Sequence, residues 1–373
     1  MRRNNIGFLF LSTSIVRFSS IIAQSVIPLY INSFIASSKL ISIAIALLWI
    51  SNGVGSLFSI YFKKIHNFLI ISFSLTSLGF LFLVFNNNYF QIYISIILIG
   101  VGLGSISILL APSMHQANNK FEGIGLYSFA LSMGLILGTL FSSIILTYLS
   151  FKFIFISTIL LLVSPLIFTL KNKYNPIDIN IKFKINNLFS IIQNKKFLKY
   201  LTFNFIYSLI LPLIISYWGI YETKTIGLKP NLVMISLFLL FILSSLIRFA
   251  LIKINEKGLI KMEILAIAIL PLIFIFLNTN NLILNITGLL LFSIPHSVLY
   301  PSFLYKAFNS LDKNNVVIGN MIFSTSSGAG EFLSPLIALT IITYFNISKL
   351  FLFTLPIPIL LLIFYLLAYN SKV

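Results

Sequence analysis

The chain has 373 residues with a formal net charge of +18, yet only 9% of it is charged while 58% is apolar, and its mean hydropathy is +1.05. A soluble protein of this length needs roughly a quarter of its residues charged to face water, so lipid must be the solvent for most of this surface. The basic residues lie in short gaps between apolar runs and form no face that could track phosphates, which argues against nucleic acid as a partner, and zero cysteines exclude disulfides and thiolate sites.

In chain order, Met1-Arg2-Arg3 leads into an apolar run with no small-residue cleavage site, which reads as a first membrane helix and not as a removable signal. A membrane helix needs about 20 apolar residues. That length predicts spans at 6–33, 40–62, 67–86, 89–111, 122–148 and 151–171, then at 198–221, 231–253, 259–278, 281–305, 316–344 and 349–369. Membrane strands are the poorer reading, because they alternate polar and apolar residues with period two. Between the two sets lies a polar stretch carrying Lys171, Lys173, Lys182, Lys184, Lys195, Lys196 and Lys199. The expected organisation is therefore a bundle over 1–171, a basic linker over 172–197 and a second bundle over 198–373. Within the linker, Ile185, Leu188, Phe189 and Ile192 recur at three- and four-residue steps. That spacing predicts a short amphipathic helix on the inner leaflet, with a disordered tether as the alternative.

Lysine and arginine placement sets the orientation. With the N-terminus inside, the inner gaps hold the seven linker lysines together with Arg2, Arg3, Lys63, Lys64, Lys120, Lys253, Lys257, Lys261, Lys306, Lys313 and Lys372. The outer gaps hold only Lys39, Lys152, Lys224, Lys229 and Lys349. Both termini are expected in the cytoplasm. The halves also echo one another: Ser56-Leu57 and Lys64-Ile65 match Ser245-Leu246 and Lys253-Ile254. Pro112-Ser113 matches Pro301-Ser302 at the same offset, and Gly125 and Gly134 match Gly319 and Gly328 at nearly that offset, half the chain. Parallel repeats about an axis along the membrane normal leave this signature.

Twelve helices, a 6+6 repeat, a basic central loop and both termini inside make the chain resemble the major facilitator superfamily. The family's motif between helices 2 and 3 is matched by Gly55, Leu57, Lys63 and Lys64, while Ser59 and Phe62 replace its acid and second glycine. The antiporter motif of helix 5 is matched by Gly134 and Gly138, while Thr139, Ser142 and Ser143 stand at its proline and last glycines. The resemblance implies an all-α membrane protein of twelve transmembrane helices in two pseudo-symmetric six-helix bundles. It also implies alternating access, and a substrate cavity lined by helices 1, 4, 7 and 10. Gly100, Gly102 and Gly104 read as close packing, not as a nucleotide loop, because no strand precedes them.

Charged residues inside spans cost at least ~2.5 kcal/mol on insertion scales and are kept for a pathway or a pair. Arg17 in helix 1 is one. Glu331 in helix 11 is read as the only carboxylate well inside a span, and it follows Gly328-Ala329-Gly330, where backbone or substrate can come close. Either Glu331 is a protonatable coupling group, or Arg17 and Glu331 neutralise each other. His296 is a second protonatable candidate beside Pro295, which frees a carbonyl and breaks helix 10; a packing histidine is the alternative. Ser20 and Gln24 follow Arg17 by one and two turns, and Asn204 and Tyr207 share a face of helix 7. These are the first substrate contacts to consider, with interhelical hydrogen bonds as the bland reading. Arg248, near the inner end of helix 8, is expected to snorkel to the headgroups.

The expected function is secondary transport in the cell membrane, as a monomer, with no catalytic residues, metal or cofactor and a proton gradient as the drive. The favoured mode is proton-coupled efflux of a small, partly apolar compound. Uptake or exchange of an organic anion or sugar-like solute through Arg17, and a non-transporting sensor or scaffold of the same fold, are the rivals.

Overall fold

The computed structural model describes residues 3–34, 37–61, 65–85, 88–115, 120–171, 191–251, 254–312 and 315–370. Lys63 and Lys64, and the amphipathic helix expected around Ile185–Phe189, lie outside the described residues; Ile192 is described and exposed. Among the described residues, twelve helices are long and apolar enough to cross a membrane. In the first half they are α1 (Gly7–Asn32), α2 (Ser38–Tyr61), α3 (Ile65–Val84), α4 (Tyr89–His115), α5 (Lys120–Tyr148) and α6 (Phe151–Lys171). In the second half they are α7 (Lys195–Ile226), α8 (Pro230–Leu251), α9 (Glu256–Leu277), α10 (Leu282–Asn309), α11 (Val316–Phe345) and α12 (Ile347–Ala368).

Local chemistry marks the helix starts. Asn194 Oδ1 accepts from the backbone N–H of Lys196 and Phe197 at 3.0 and 3.1 Å, Asn255 Oδ1 from that of Gly258 at 2.9 Å, and Asn281 Oδ1 from Ile283 and Leu284. Each satisfies donors that the first helical turn leaves orphaned. At the far end of α7, Gly227 takes φ +80, a conformation that a side chain disfavours. Two helices are not uniform. A π-turn interrupts α1 at Ile22–Val26, and two interrupt α7 at Leu213–Tyr217 and Glu222–Ile226. The first two fall at corresponding places in the two halves.

The surface is apolar and much of the polar content is inside. Leu160 and Leu367 are 68% and 62% exposed, whereas Ser19, Thr76, Ser142 and Thr158 are fully buried. Their hydroxyls donate to the carbonyl four residues back, at 2.7–2.9 Å, so helices can carry them through lipid. This inversion is what a hydrocarbon solvent selects.

The chain divides into two compact units, Met1–Ile179 with Gly227–Phe238, and Asn180–Ile226 with Leu239–Val373. In the first, α1 packs on α4, α5 and α6, and α3 packs on α4 and α6. In the second, α7 packs on α10, α11 and α12, and α9 packs on α10 and α12. Each of these five pairs recurs six helices later, in keeping with the repeat in the matched dipeptides, whereas the extensive packing of α2 on α4 has no equally extensive counterpart between α8 and α10. The opening turns of α8 belong to the first unit, where the Asn231 carbonyl accepts from Ser143 Oγ at 3.0 Å and Asn231 Nδ2 donates to Thr147 Oγ1 at 3.2 Å.

Glycines set the closest approaches. Gly55 meets the backbone of Val101, Gly100 and Gly104 meet α2, and Gly102 meets α3, so the glycine run of α4 is a two-faced packing device. Gly134 and Gly138 meet α1 between Ser14 and Ile21. The counterpart of Gly134 is Gly330 and not the expected Gly328: a Cβ on Gly330 would stand 2.6 Å from the Phe205 carbonyl oxygen of α7, while Gly328 has nothing within 4 Å. Gly330→Val is therefore expected to cost about 1–3 kcal/mol through overpacking. It should lower the thermal transition of the detergent-solubilised protein, whereas Gly328→Ala should leave the transition in place.

Candidate functional site

Among the described residues, the polar side chains that the sequence singled out stand in two groups inside the spans, one in each unit. In the first unit they stand on α1. Ser20 and Gln24 are buried, and Gln24 Nε2 donates to Ser20 Oγ at 3.0 Å. Gln24 Oε1 is also buried and accepts no hydrogen bond. Gln24 lies in the π-turn Ile22–Val26, a local widening of the helix that is frequent at functional sites. Arg17 is held in place from α5. A Cβ on Gly134 would stand 2.7 Å from Arg17 Cβ, so the bare glycine lets α5 close on this turn of α1. Tyr127, two turns before Gly134, lies within electrostatic range of the guanidinium.

The second place joins four helices. Gly330 brings α11 against α7 at Phe205–Leu209, and one turn earlier Asn204 Nδ2 donates to Ser327 Oγ at 2.6 Å. These two contacts fix the register of α11 on α7 and set Glu331 within electrostatic range of Tyr207. Tyr207 is completely buried, and its hydroxyl has no hydrogen-bond partner. Arg248 of α8 is the second charge in range of that hydroxyl.

Arg248 does not snorkel. Ser297 Oγ of α10 makes 2.8 Å contacts with both the carbonyl and the hydroxyl of Ser244, which ties α10 to α8 one turn before Arg248. The guanidinium turns inward as a result. Its Nη2 donates to the His296 carbonyl at 3.3 Å and lies 3.4 Å from His296 Nε2, whose part in that contact depends on the tautomer. The His296 ring is buried between Phe292, at 6.0 Å between centroids, and Phe241, at 5.7 Å. α10 breaks at Phe292 and resumes at Ser293, so Pro295 falls in the first turn of the new segment, where it removes no needed donor.

The sequence-predicted residues thus divide. Glu331 lies within electrostatic range of Tyr207, and His296 meets Arg248, which also lies within range of Tyr207 and which the sequence had assigned to the headgroups. Asn204 directs its amide nitrogen to α11, and Ser20 and Gln24 meet each other. Arg17 belongs to the first unit and Glu331 to the second.

Glu331 is also not alone among in-span carboxylates. Glu263 of α9 and Glu222 of α7 are both fully buried. Glu263 pairs with Lys306, a residue expected in a loop but carried by α10, which runs on to Asn309. Glu222 was placed beyond helix 7 because the apolar run weakens after Tyr221. α7 continues through Thr223 and Thr225 to Ile226, and Gly227 was the signal for its true end. Among the described residues no group of three or more His, Cys, Asp or Glu is placed to hold a metal ion.

The fold has solved counterparts at low identity. A D-xylose-proton symporter aligns with TM-score 0.78 at 10% identity, covering 96% of this chain and 96% of its own. A POT family transporter solved with a thioalcohol-conjugated peptide aligns with TM-score 0.77 at 11% identity, covering 99% and 96%. The human organic anion transporter MFSD10 aligns with TM-score 0.64 at 12% identity, covering 96% and 98%. Likeness at these identities speaks for the fold alone. No curated protein matches the chain in sequence. The family model described as Major Facilitator Superfamily matches residues 9–325, and with twelve helices in two repeated sets of six, the chain belongs to that superfamily of membrane transporters.

Proposed function

We propose that the protein is a secondary transporter of the cell membrane that works by alternating access and exports a small, partly apolar compound in exchange for protons. The observation that supports it best is the convergence of Tyr207, Arg248, His296 and Glu331 from α7, α8, α10 and α11. A hydroxyl with no hydrogen-bond partner is buried there within electrostatic range of a carboxyl group and a guanidinium. Glu331 is the proton carrier in this reading. Protonated, it presents no charge to Arg248 and Tyr207; ionised, it does. That difference lets proton and substrate bias the same conformational equilibrium. Export as the direction rests on Gly134 and Gly138, which keep the antiporter-like contact of α5 on α1. In this reading the protein acts as a monomer, and the lysine bias of the inner gaps supports cytoplasmic termini.

A second reading takes an organic anion as substrate, with Arg17 as its counter-charge. In-span guanidinium groups, Arg17 in one unit and Arg248 in the other, favour it, and one of the fold neighbours is an organic anion transporter.

The deciding experiment is flux in proteoliposomes under an imposed pH gradient, screened over cations, anions and neutral compounds. Export of an apolar compound that follows the gradient supports the first reading. Anion flux lost in Arg17→Gln supports the second. Absence of protein-dependent flux for every class sinks both. A sharper check uses Tyr207→Phe. Its hydroxyl bonds to nothing in the empty protein, so thermal stability should hold, while apparent substrate affinity should fall about tenfold, near 1.4 kcal/mol for one lost hydrogen bond.

A further inference from the structure

Glu222 is a buried carboxylate that the proposed transport site does not use. It lies fifteen residues beyond Tyr207, about 20 Å along α7 at 1.5 Å per residue. The residue is 0% exposed, and neither of its oxygens has a hydrogen-bond partner. The contrast with Glu263 is informative. Both are equally buried, but Glu263 meets Lys306, as a buried charge requires. Glu222 instead opens the π-turn Glu222–Ile226, where the changed helical register is a recurrent mark of function. Its helical neighbours do not answer it: the hydroxyls of Thr223 and Thr225 donate to the carbonyls of Ile220 and Tyr221.

Among the described residues, no side chain of the elements packed on this segment reaches the Glu222 oxygens with a hydrogen bond. α10 meets it through Trp218 Nε1, which donates to Asn285 Oδ1 at 2.7 Å, and the Asn285 amide nitrogen donates on to the Leu277 carbonyl at 2.9 Å. α11 meets it through the Tyr217 hydroxyl and the Pro335 carbonyl; of its titratable residues, Glu331 lies a turn before that proline and Tyr344 in the last turn of the helix. α12 meets it through Phe351, whose ring stands 5.2 Å from that of Tyr221. These elements also carry Tyr217 and Tyr221 before Glu222 and Lys224 two residues after it, His296, Tyr300, Tyr305 and Lys306 on α10, and Lys349 and Tyr365 on α12.

We propose that Glu222 is a monovalent-cation site of the second unit, taking either a proton or an alkali-metal ion onto its bare carboxylate oxygens. It is separate from the Glu331 group, and its occupancy needs no substrate. The site lies in the last turn of α7, which ends at Gly227.

The test is covalent labelling of the full chain in lipid nanodiscs with dicyclohexylcarbodiimide. This hydrophobic reagent adds as a whole to a protonated buried carboxyl group, and peptide mass spectrometry locates the adduct. A proton site predicts an adduct at Glu222 that falls at least tenfold from acidic to alkaline buffer with choline as the only monovalent cation. An alkali-metal site predicts an adduct that sodium or potassium chloride suppresses several-fold at fixed pH, where choline chloride does not. Labelling insensitive to pH and to both metal ions, or absent at every pH, overturns the proposal. Glu222→Gln keeps size and burial, and its monodisperse elution certifies the fold while the adduct disappears. In Glu331→Gln the labelling of Glu222 keeps its dependence, so this site and the transport reading fail separately.

Discussion

Glu331→Gln is expected to lower pH-gradient-driven flux by about 10²-fold or more, the range by which removing a proton-transferring side chain slows a reaction. Glutamine keeps the shape and hydrogen-bonding reach of the acid but can neither take nor give a proton. The helix contacts on either side of residue 331, Gly330 against Phe205 and Ser208 and Ser327 against Asn204, are left intact by the substitution. The variant should therefore fold and bind substrate. Exchange of labelled for unlabelled substrate without a gradient should survive while net gradient-driven movement is lost. Flux in the variant that still followed the imposed gradient would remove Glu331 from proton coupling and return attention to His296, the other protonatable group beside Arg248.

Lys306→Met is the second large effect, this time on stability. Glu263 is fully buried and the Lys306 side chain is only 14% exposed, so the pair is shielded from water. Removing one member of a buried pair leaves the other uncompensated and costs about 3–5 kcal/mol. The pair bridges α9 and α10, one of the contacts that the second unit repeats from the first. Thermal unfolding in detergent should show a clear loss for Lys306→Met and a comparable loss for Glu263→Ala if the salt bridge itself holds the helices. The double variant Lys306→Met with Glu263→Met should recover most of it, because two apolar chains of similar volume often replace a buried pair without loss. Additive single losses in the double variant would contradict the pairing. Lys306 Nζ also stands 5.8 Å from the centre of the Tyr200 ring, so the lysine stem contributes packing that methionine retains.

The spans, their number and the repeat were legible in the sequence because the solvent writes them. A helix in hydrocarbon must satisfy its backbone internally and show lipid an apolar face, so each crossing leaves a run of about 20 apolar residues. The glycines that close α1 on α5 were legible for a related reason, since only a residue without a Cβ permits that approach. The end of α7 was not: its last turns contain Glu222, Thr223, Lys224 and Thr225, and composition alone reads such a run as a loop.

What the sequence determined by itself was thus the lipid environment, the twelve crossings in two matched sets, and the candidacy of Arg17, His296 and Glu331 as polar groups out of place in lipid. The tertiary structure decided partnership. It turned Arg248 from the headgroups to His296 and committed Asn204 to α11. It paired Glu263 with Lys306, and left the Tyr207 hydroxyl and the Glu222 carboxylate buried without partners. The reason is that a side chain's partner comes from another helix far along the chain, through a packing face and register that no local run of residues records.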